Sequence, residues 1–269
     1  MATPDFSLLE AVRRRRPLVH CVSNIVSAND CANLALALGA SPVMAQAPEE
    51  MADIAAASAA AVLNTGTPDG GKFEVCLLCG RETAARNHPV VLDPVGVGAS
   101  PWRLEQVEAL LRGFTPSLLR VNLGEAQALL RLESRERGVD SPAGGSFSQR
   151  AEAALRLARE RGTAVLLSGP EDLVSDGEAL FRISGGSPRM TQVTGAGCML
   201  SVLCGVFAAV EPDVLRAAVA AAAFWKVCAR RAEELAGGRG PGSFRAALLD
   251  AAGTLEAPDC AAAQAERLR

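Results

Sequence analysis

Short, nearly unbroken apolar runs separated by helical stretches limit what this chain can fold into. The runs Leu18–Val22, Ala60–Asn64, Pro89–Asp93, Leu118–Asn122 and Ala164–Ser168 show little alternation of apolar with polar residues. Strands of that kind are buried on both faces, which calls for a parallel sheet with helices above and below it. Helical patterns fill the intervals at Leu8–Arg15, Ala28–Leu38, Glu49–Ala59, Leu104–Arg112, Glu125–Leu132 and Ser148–Arg161, with a short extended piece at Ser41–Met44. Asp172–Gly177 and Leu180–Ser184 read as a small antiparallel edge pair. From Gly197 the chain reads as helix almost to its end, interrupted at Gly237–Gly242. A charged, Gly-rich stretch at Glu133–Gly145 is the longest irregular segment. No repeat or linker divides the chain, so residues 1–269 read as a single α/β domain.

Several function classes drop out. The formal net charge is −3, from 27 basic and 30 acidic residues, which gives no electrostatic case for nucleic acid or a membrane surface. There is no uninterrupted apolar stretch of the roughly 18 residues that a membrane helix needs. Met1–Arg16 has no apolar h-region of a secretory signal, and Arg13–Arg16 reads as the solvated end of a first helix. Eight cysteines lie scattered, most of them in apolar runs, and read as reduced, buried thiols of a cytosolic protein. Cys76-Leu-Leu-Cys79 falls in a helical pattern with no second pair, and core packing is its expected role.

In open parallel sheets, ligands bind beyond the carboxyl ends of the strands. This chain puts polar residues there: Ser23-Asn24, Asn64-Thr-Gly-Thr-Pro68, Asp93-Pro-Val-Gly-Val-Gly98, Asn122 with Glu125, Ser168-Gly169, and Thr194-Gly-Ala-Gly-Cys198. In the last of these, a strand-like run at Arg189–Val193 leads through Gly195-Ala-Gly197 into a long apolar helix, Cys198–Val210. Free amides of Gly195, Ala196 and Gly197 at a helix start form an anion hole, reinforced by the helix dipole. The same field is expected to favour a thiolate at Cys198, lowering its pKa below the reference of ~8.5. Asp93 and Glu125 are hard oxygen donors suited to Mg²⁺, directly or through water, although Glu125 equally suits a helix N-terminus. Arg120 lies within a buried strand and needs an anionic partner, either a phosphate or a structural carboxylate. Met44 suits either the face of an organic ring or the core. An anion hole beside a polarised group fits phosphoryl or acyl transfer.

These residues resemble one family closely: hydroxyethylthiazole kinase, the thiamin-salvage branch of the ribokinase-like fold. The resemblance runs through Val19-His-Cys-Val-Ser-Asn24, Ala32-Asn33, Leu38-Gly-Ala-Ser-Pro-Val-Met44, Leu63-Asn-Thr-Gly-Thr67 and Val91-Leu-Asp-Pro-Val-Gly-Val-Gly98. It continues through Arg120-Val-Asn-Leu-Gly-Glu125, Gly138-Val-Asp-Ser141, Thr194–Cys198 and Gly240-Pro-Gly-Ser-Phe244. Cys198 stands where most ribokinase-like enzymes carry Asp, which is this family's own mark. Ile25, Leu123 and Gln192 depart from its usual residues.

The resemblance implies a three-layer fold with a mostly parallel central sheet flanked by helices. It implies ATP-dependent phosphorylation of the hydroxyl of 4-methyl-5-(2-hydroxyethyl)thiazole, with Mg²⁺, in a cytoplasmic homotrimer whose sites lie between subunits. Met44 and Gly195, with Asn24 nearby, would then contact the thiazole alcohol. Arg120, Ser168 and Thr194 would contact ATP, Asp93 and Glu125 would organise Mg²⁺, and Cys198 would lie beside the accepting hydroxyl. Besides a non-catalytic sensor of a nucleotide or the thiazole, two other readings stay open at this level. One is a ribokinase-like kinase of a pyrimidine or pyridoxal-like alcohol. The other is a hydrolase with Cys198 as nucleophile, which would need His20 or His88 as its base.

Overall fold

The computed structural model describes residues 4–132 and 145–269, so the Gly138–Ser141 motif lies outside the described residues. The chain begins α1 (Ser7–Arg15), β1 (Leu18–Val22), α2 (Ala28–Leu38), β2 (Ser41–Val43), α3 (Met51–Ala57), β3 (Ala60–Asn64) and α4 (Lys72–Ala85). It continues through β4 (Val90–Asp93), α5 (Pro101–Gly113), β5 (Leu118–Val121), α6 (Leu123–Leu129), α7 (Phe147–Arg161), β6 (Ala164–Leu167), β7 (Asp172–Ser175) and β8 (Leu180–Ser184). The last elements are α8 (Ala196–Ala208), α9 (Val214–Ala236), α10 (Pro241–Thr254) and β9 (Gln264–Arg267).

Among the described residues one sheet runs β2-β1-β3-β4-β5-β6-β7-β8-β9. Pairing is parallel from β2 to β6 and antiparallel beyond. Strands with apolar residues on both faces feed two separate cores. Val62 of β3 belongs with Leu203 and Phe207 of α8 and Phe224 of α9, whereas Ala61 and Leu63 belong with Phe73 and Cys76 of α4. Helix α8 lies so close to β3 that a Cβ on Gly205 would stand 2.3 Å from Cγ2 of Val62. Glycine there sets the depth of the central helix.

Four expectations are corrected. Arg189–Val193 is no strand: Pro188–Gln192 forms a 3₁₀ turn, with Ser187 Oγ accepting from the amide of Arg189 at 3.2 Å. Ser followed by Pro is a helix-start signal, and it overrides the apolar look of the run. The helix that follows begins at Ala196, ahead of Cys198. The chain does not stay helical to its end, because β9 pairs antiparallel with β8. Only Ala265 of that strand is buried, so an edge strand facing water carries almost no apolar signal. The arginine run is not wholly solvated. Arg13 donates to the carbonyl of Leu255 at 2.7 Å and Arg15 to that of Val210 at 3.2 Å, just beyond the ends of α10 and α8. Cations there satisfy carbonyls that lack intrahelical partners.

Candidate active site

The strand order brings the carboxyl ends of β1, β3, β4, β5 and β6 side by side, and the start of α8 points into the same edge. Asp93, the last residue of β4, is fully buried. Its Oδ2 accepts from Ser201 Oγ at 2.7 Å and from Asn64 Nδ2 at 3.1 Å. Its Oδ1 is buried with no hydrogen-bond donor, and Nη1 of Arg120 stands 3.5 Å away. Arg120 reaches across from β5, donates through Nη2 to Ser168 Oγ at 2.7 Å, and keeps Nε buried without a partner. The guanidinium thus has the carboxylate partner left open by the sequence, and it keeps spare donor capacity beside the helix start.

Glu125, the third residue of α6, closes a reciprocal cap with Asn122. Its amide donates to Asn122 Oδ1 and its Oε2 accepts from the amide of Asn122, both at 2.8 Å. Oε1 accepts from the amide of Gly96 at 3.0 Å. Gly96 adopts φ 67°, a left-handed turn that glycine takes without strain. Burial, added to by the charge of Asp93, pushes the Glu125 carboxyl up to about 7. Asp93 is also raised by burial, against the opposing pull of Arg120.

Two buried carboxyls share one guanidinium and both are raised by burial, so a nearby cation would favour their charged forms, with the Oδ1 of Asp93 facing Arg120 alone among the described residues. That arrangement fits a hydrated divalent cation. Among the described residues no group of three or more His, Cys, Asp or Glu side chains is placed to enclose a metal. An ion held here would therefore complete its shell with waters and phosphate oxygens.

At the start of α8, Gly195 takes φ 83° and a Cβ on it would lie 2.7 Å from Cβ of Ser27. Among the described residues no acceptor meets the amides of Gly195, Gly197 or Cys198. Ala196 corrects the expected anion hole, because its amide donates to the carbonyl of Val193 at 3.3 Å. Thr194 is exposed beside this turn, and Met44 is half-buried and packed against the core on the α8 side of the sheet.

Cys198 is half-buried, and Nδ2 of Asn24 donates to its Sγ at 3.3 Å. The expected thiolate is corrected: burial, and next the charge of Asp93, pushes this thiol above its ordinary range. Desolvation outweighs the helix dipole, so the thiol keeps its proton near neutral pH. Asn24, expected near substrate, commits its whole side-chain amide to the protein. Nδ2 also donates to Asn64 Oδ1 at 3.0 Å, while Oδ1 accepts from the amide and hydroxyl of Ser27 at 3.0 and 3.1 Å.

Sequence reasoning missed Ser201 and Lys72. Ser201 follows Cys198 by three positions, so it faces the same side of α8. Buried Lys72 donates to the carbonyl of Ser23 at 2.7 Å and to Gln46 Oε1 at 3.2 Å, tying the loop after β1 to the one after β2. A lone lysine opening an apolar helix was the available signal. The hydrolase reading loses its base. His20 bonds the carbonyl of Ala45 at 2.9 Å and the sulfur of Cys79 at 3.2 Å, burial lowers its pKa, and no contact joins either histidine to Cys198 among the described residues. Cys76 and Cys79 are packed in α4, with thiols pushed up to about 12 by burial.

Amides that lack acceptors, at a helix start pressed against a buried arginine, receive phosphoryl groups in sheets of this kind. The architecture is that of the ribokinase-like phosphotransferases, and it is shared with a Staphylococcus aureus pyridoxal kinase solved with ADP. That match has TM-score 0.61 at 17% identity and covers 80% of this chain and 87% of the other. A hydroxyethylthiazole kinase structure from Pyrococcus horikoshii OT3 matches with TM-score 0.89 and 34% identity over 98% of each chain. A hydroxyethylthiazole kinase of Listeria monocytogenes serotype 4a is 43% identical over 247 residues, 92% of this chain and 91% of that one. The chain belongs to the hydroxyethylthiazole kinase family, whose family model matches residues 9–257.

Proposed function

We propose that the chain transfers the γ-phosphoryl group of ATP to the primary alcohol of 4-methyl-5-(2-hydroxyethyl)thiazole. The observation that carries this reading is the meeting at one sheet edge of Arg120, the Gly195–Gly197 turn and the Oδ1 of Asp93, which faces the Arg120 guanidinium at 3.5 Å. Phosphoryl transfer through a loose transition state depends mainly on positioning and charge neutralisation. The free amides of Gly195 and Gly197, with Arg120, hold the transferring group. Arg120, Ser168 and Thr194 line the ATP side, and Met44 and Gly195 the side of the thiazole alcohol. Asp93 and Glu125 would hold Mg²⁺, directly or through water, and the ion would offset charge on the leaving diphosphate. Cys198, protonated near neutrality, orients the accepting hydroxyl, and the amide of Asn24 fixes its sulfur.

Ile25 and Val26, next to Asn24, are 84% and 59% exposed. Apolar side chains left open beside a site support a homotrimer in which a neighbouring copy covers them and Met44 serves the adjacent pocket. Eight free cysteines, nearly all buried, support a cytoplasmic setting. Sedimentation velocity combined with kinetics tests this reading. A trimer is expected, together with a KM for ATP raised roughly tenfold or more in Arg120→Ala, the scale of a lost charge-assisted contact. A monomer with full activity would refute the shared site, and an unchanged KM would refute the role of Arg120.

A further inference from the structure

The polar side chains between Cys198 and Asp93 form a chain with only one possible direction. The amide of Gly66 donates to Asn64 Oδ1 at 2.9 Å, and the amide of Ser27 donates to Asn24 Oδ1 at 3.0 Å. Backbone N–H groups only donate, so both side-chain oxygens are fixed as acceptors and neither amide can flip. Nδ2 of Asn64 therefore donates to Asp93 Oδ2 at 3.1 Å, and Nδ2 of Asn24 donates to both Asn64 Oδ1 and the sulfur of Cys198. The two hydrogens of a planar amide diverge at a fixed angle. Once Asn64 Oδ1 holds one of them, the other is aimed at Sγ. Asn24 and Asn64 are 5% and 3% exposed, so neither N–H finds water as a substitute. A Cβ on Gly66 would stand 3.0 Å from both Asn24 Nδ2 and Asn64 Oδ1, so the bridge is also packed from above.

We infer that Asn64, which makes no hydrogen bond to Cys198 itself, is a positioning residue: through Asn24 it aims an N–H at the sulfur of Cys198 and ties that sulfur's orientation to the Asp93 carboxylate. The inference rests on the reading of Cys198 as the group beside the accepting hydroxyl. Its first test, however, does not depend on turnover. With Asn64 removed, the Asn24 amide pivots on its two contacts to Ser27 and loses its aim, so Sγ keeps the help of Ser27 and Arg120 but loses the Asn24 donor that also favours its thiolate.

The experiment is alkylation of the intact protein by iodoacetamide at a fixed mildly alkaline pH, with modification of Cys198 read by peptide mass spectrometry. Asn64→Ala is expected to slow modification of Cys198 by roughly threefold or more. The second measurement is a double-mutant cycle with turnover as readout. Asn64→Ala is expected to lower kcat roughly tenfold in the parent, with KM for either substrate changed by less than about threefold, and to lower kcat by less than about twofold in Cys198→Ala. An equal loss in both backgrounds would show that Asn64 acts only through Asp93 or through the fold, and would overturn the proposal. So would an unchanged alkylation rate in a folded variant. Asn64→Ser, whose shorter hydroxyl does not span to Asn24, repeats both measurements if the alanine variant does not fold. If the parent shows no thiazole-dependent turnover at all, the alkylation result still decides the coupling.

Discussion

The guanidinium of Arg120 lies directly over Gly197: a Cβ on that glycine would stand 2.4 Å from Nη2. The opening of α8 and the side chain from β5 therefore form one surface, with no room for a methyl group between them. The same guanidinium faces Asp93 and donates to Ser168, so pushing it aside disturbs three groups together.

Gly197→Val is expected to fold, because the position is half-buried and what a side chain there meets is the far end of Arg120 rather than backbone. Turnover should fall about 100-fold or more, the scale of losing a preorganised donor in phosphoryl transfer. Circular dichroism checks the fold, and a coupled assay for ADP checks the rate. Parent-like turnover would mean that phosphate binds elsewhere.

Asp93→Ala and Glu125→Ala should each lower turnover by about 30- to 1000-fold at saturating Mg²⁺, equivalent to about 2–4 kcal/mol of transition-state stabilisation. Asp93→Ala should be the less stable protein in chemical denaturation, since it leaves Arg120 without its carboxylate. Normal rates in both folded variants would remove the pair from the mechanism.

Burial of Glu125 also predicts a pH dependence of stability without metal. Its carboxyl is raised to about 7 in the fold, so the folded state binds more proton than the unfolded one between the ordinary glutamate range and that value. The contribution is complete in acid below that window and is lost as pH rises toward neutrality. Urea denaturation across this range should show stability declining with pH, and Glu125→Gln should flatten the decline. A rise in stability attributable to Glu125 would contradict the assignment.

Cys198→Ala should keep measurable but reduced turnover, lower by about 10²- to 10⁴-fold if the group takes part in proton transfer and by less if it only orients the hydroxyl. Cys198→Asp is expected to match or exceed the parent at neutral pH, supplying a carboxylate where most ribokinase-like enzymes carry one. If the raised thiol takes part in proton transfer, the parent rate climbs with pH beyond neutrality, and if it only orients the hydroxyl the rate does not follow its titration. Rate against pH for the three proteins checks this. A covalent phospho- or acyl-cysteine on the parent, with an inactive Asp variant, would make Cys198 a nucleophile instead.

Much of this was legible in the residues because local pattern and tertiary environment agree. Ala60–Asn64 is apolar on both faces and lies between two cores, and the polar residues closing each strand do gather at one edge. The sequence points to a thiolate at Cys198 because the helix dipole is a local property, whereas the desolvation that outweighs it comes from the whole packed edge. Asn24 reads as a residue near substrate, and nothing in the sequence shows that Asn64 and Ser27 also take up its amide from other elements. Ser201 reads in sequence as one more small residue in an apolar helix, and its role depends on Asp93, which the fold brings to it from β4. Strand β9 was lost because edge pairing uses backbone groups and leaves little trace in side chains.

The central claim is most directly tested by alcohol-dependent release of ADP from ATP by the purified protein. The thiazole alcohol would be offered beside pyridoxal and a hydroxymethylpyrimidine, each with and without Mg²⁺, and the phosphorylated product identified by mass spectrometry. The account predicts Mg²⁺-dependent ADP release with the thiazole alcohol, one phosphate gained per ADP formed, and little turnover of the other two. Turnover of pyridoxal or the pyrimidine with none of the thiazole, or ATP consumption indifferent to any alcohol, would contradict it.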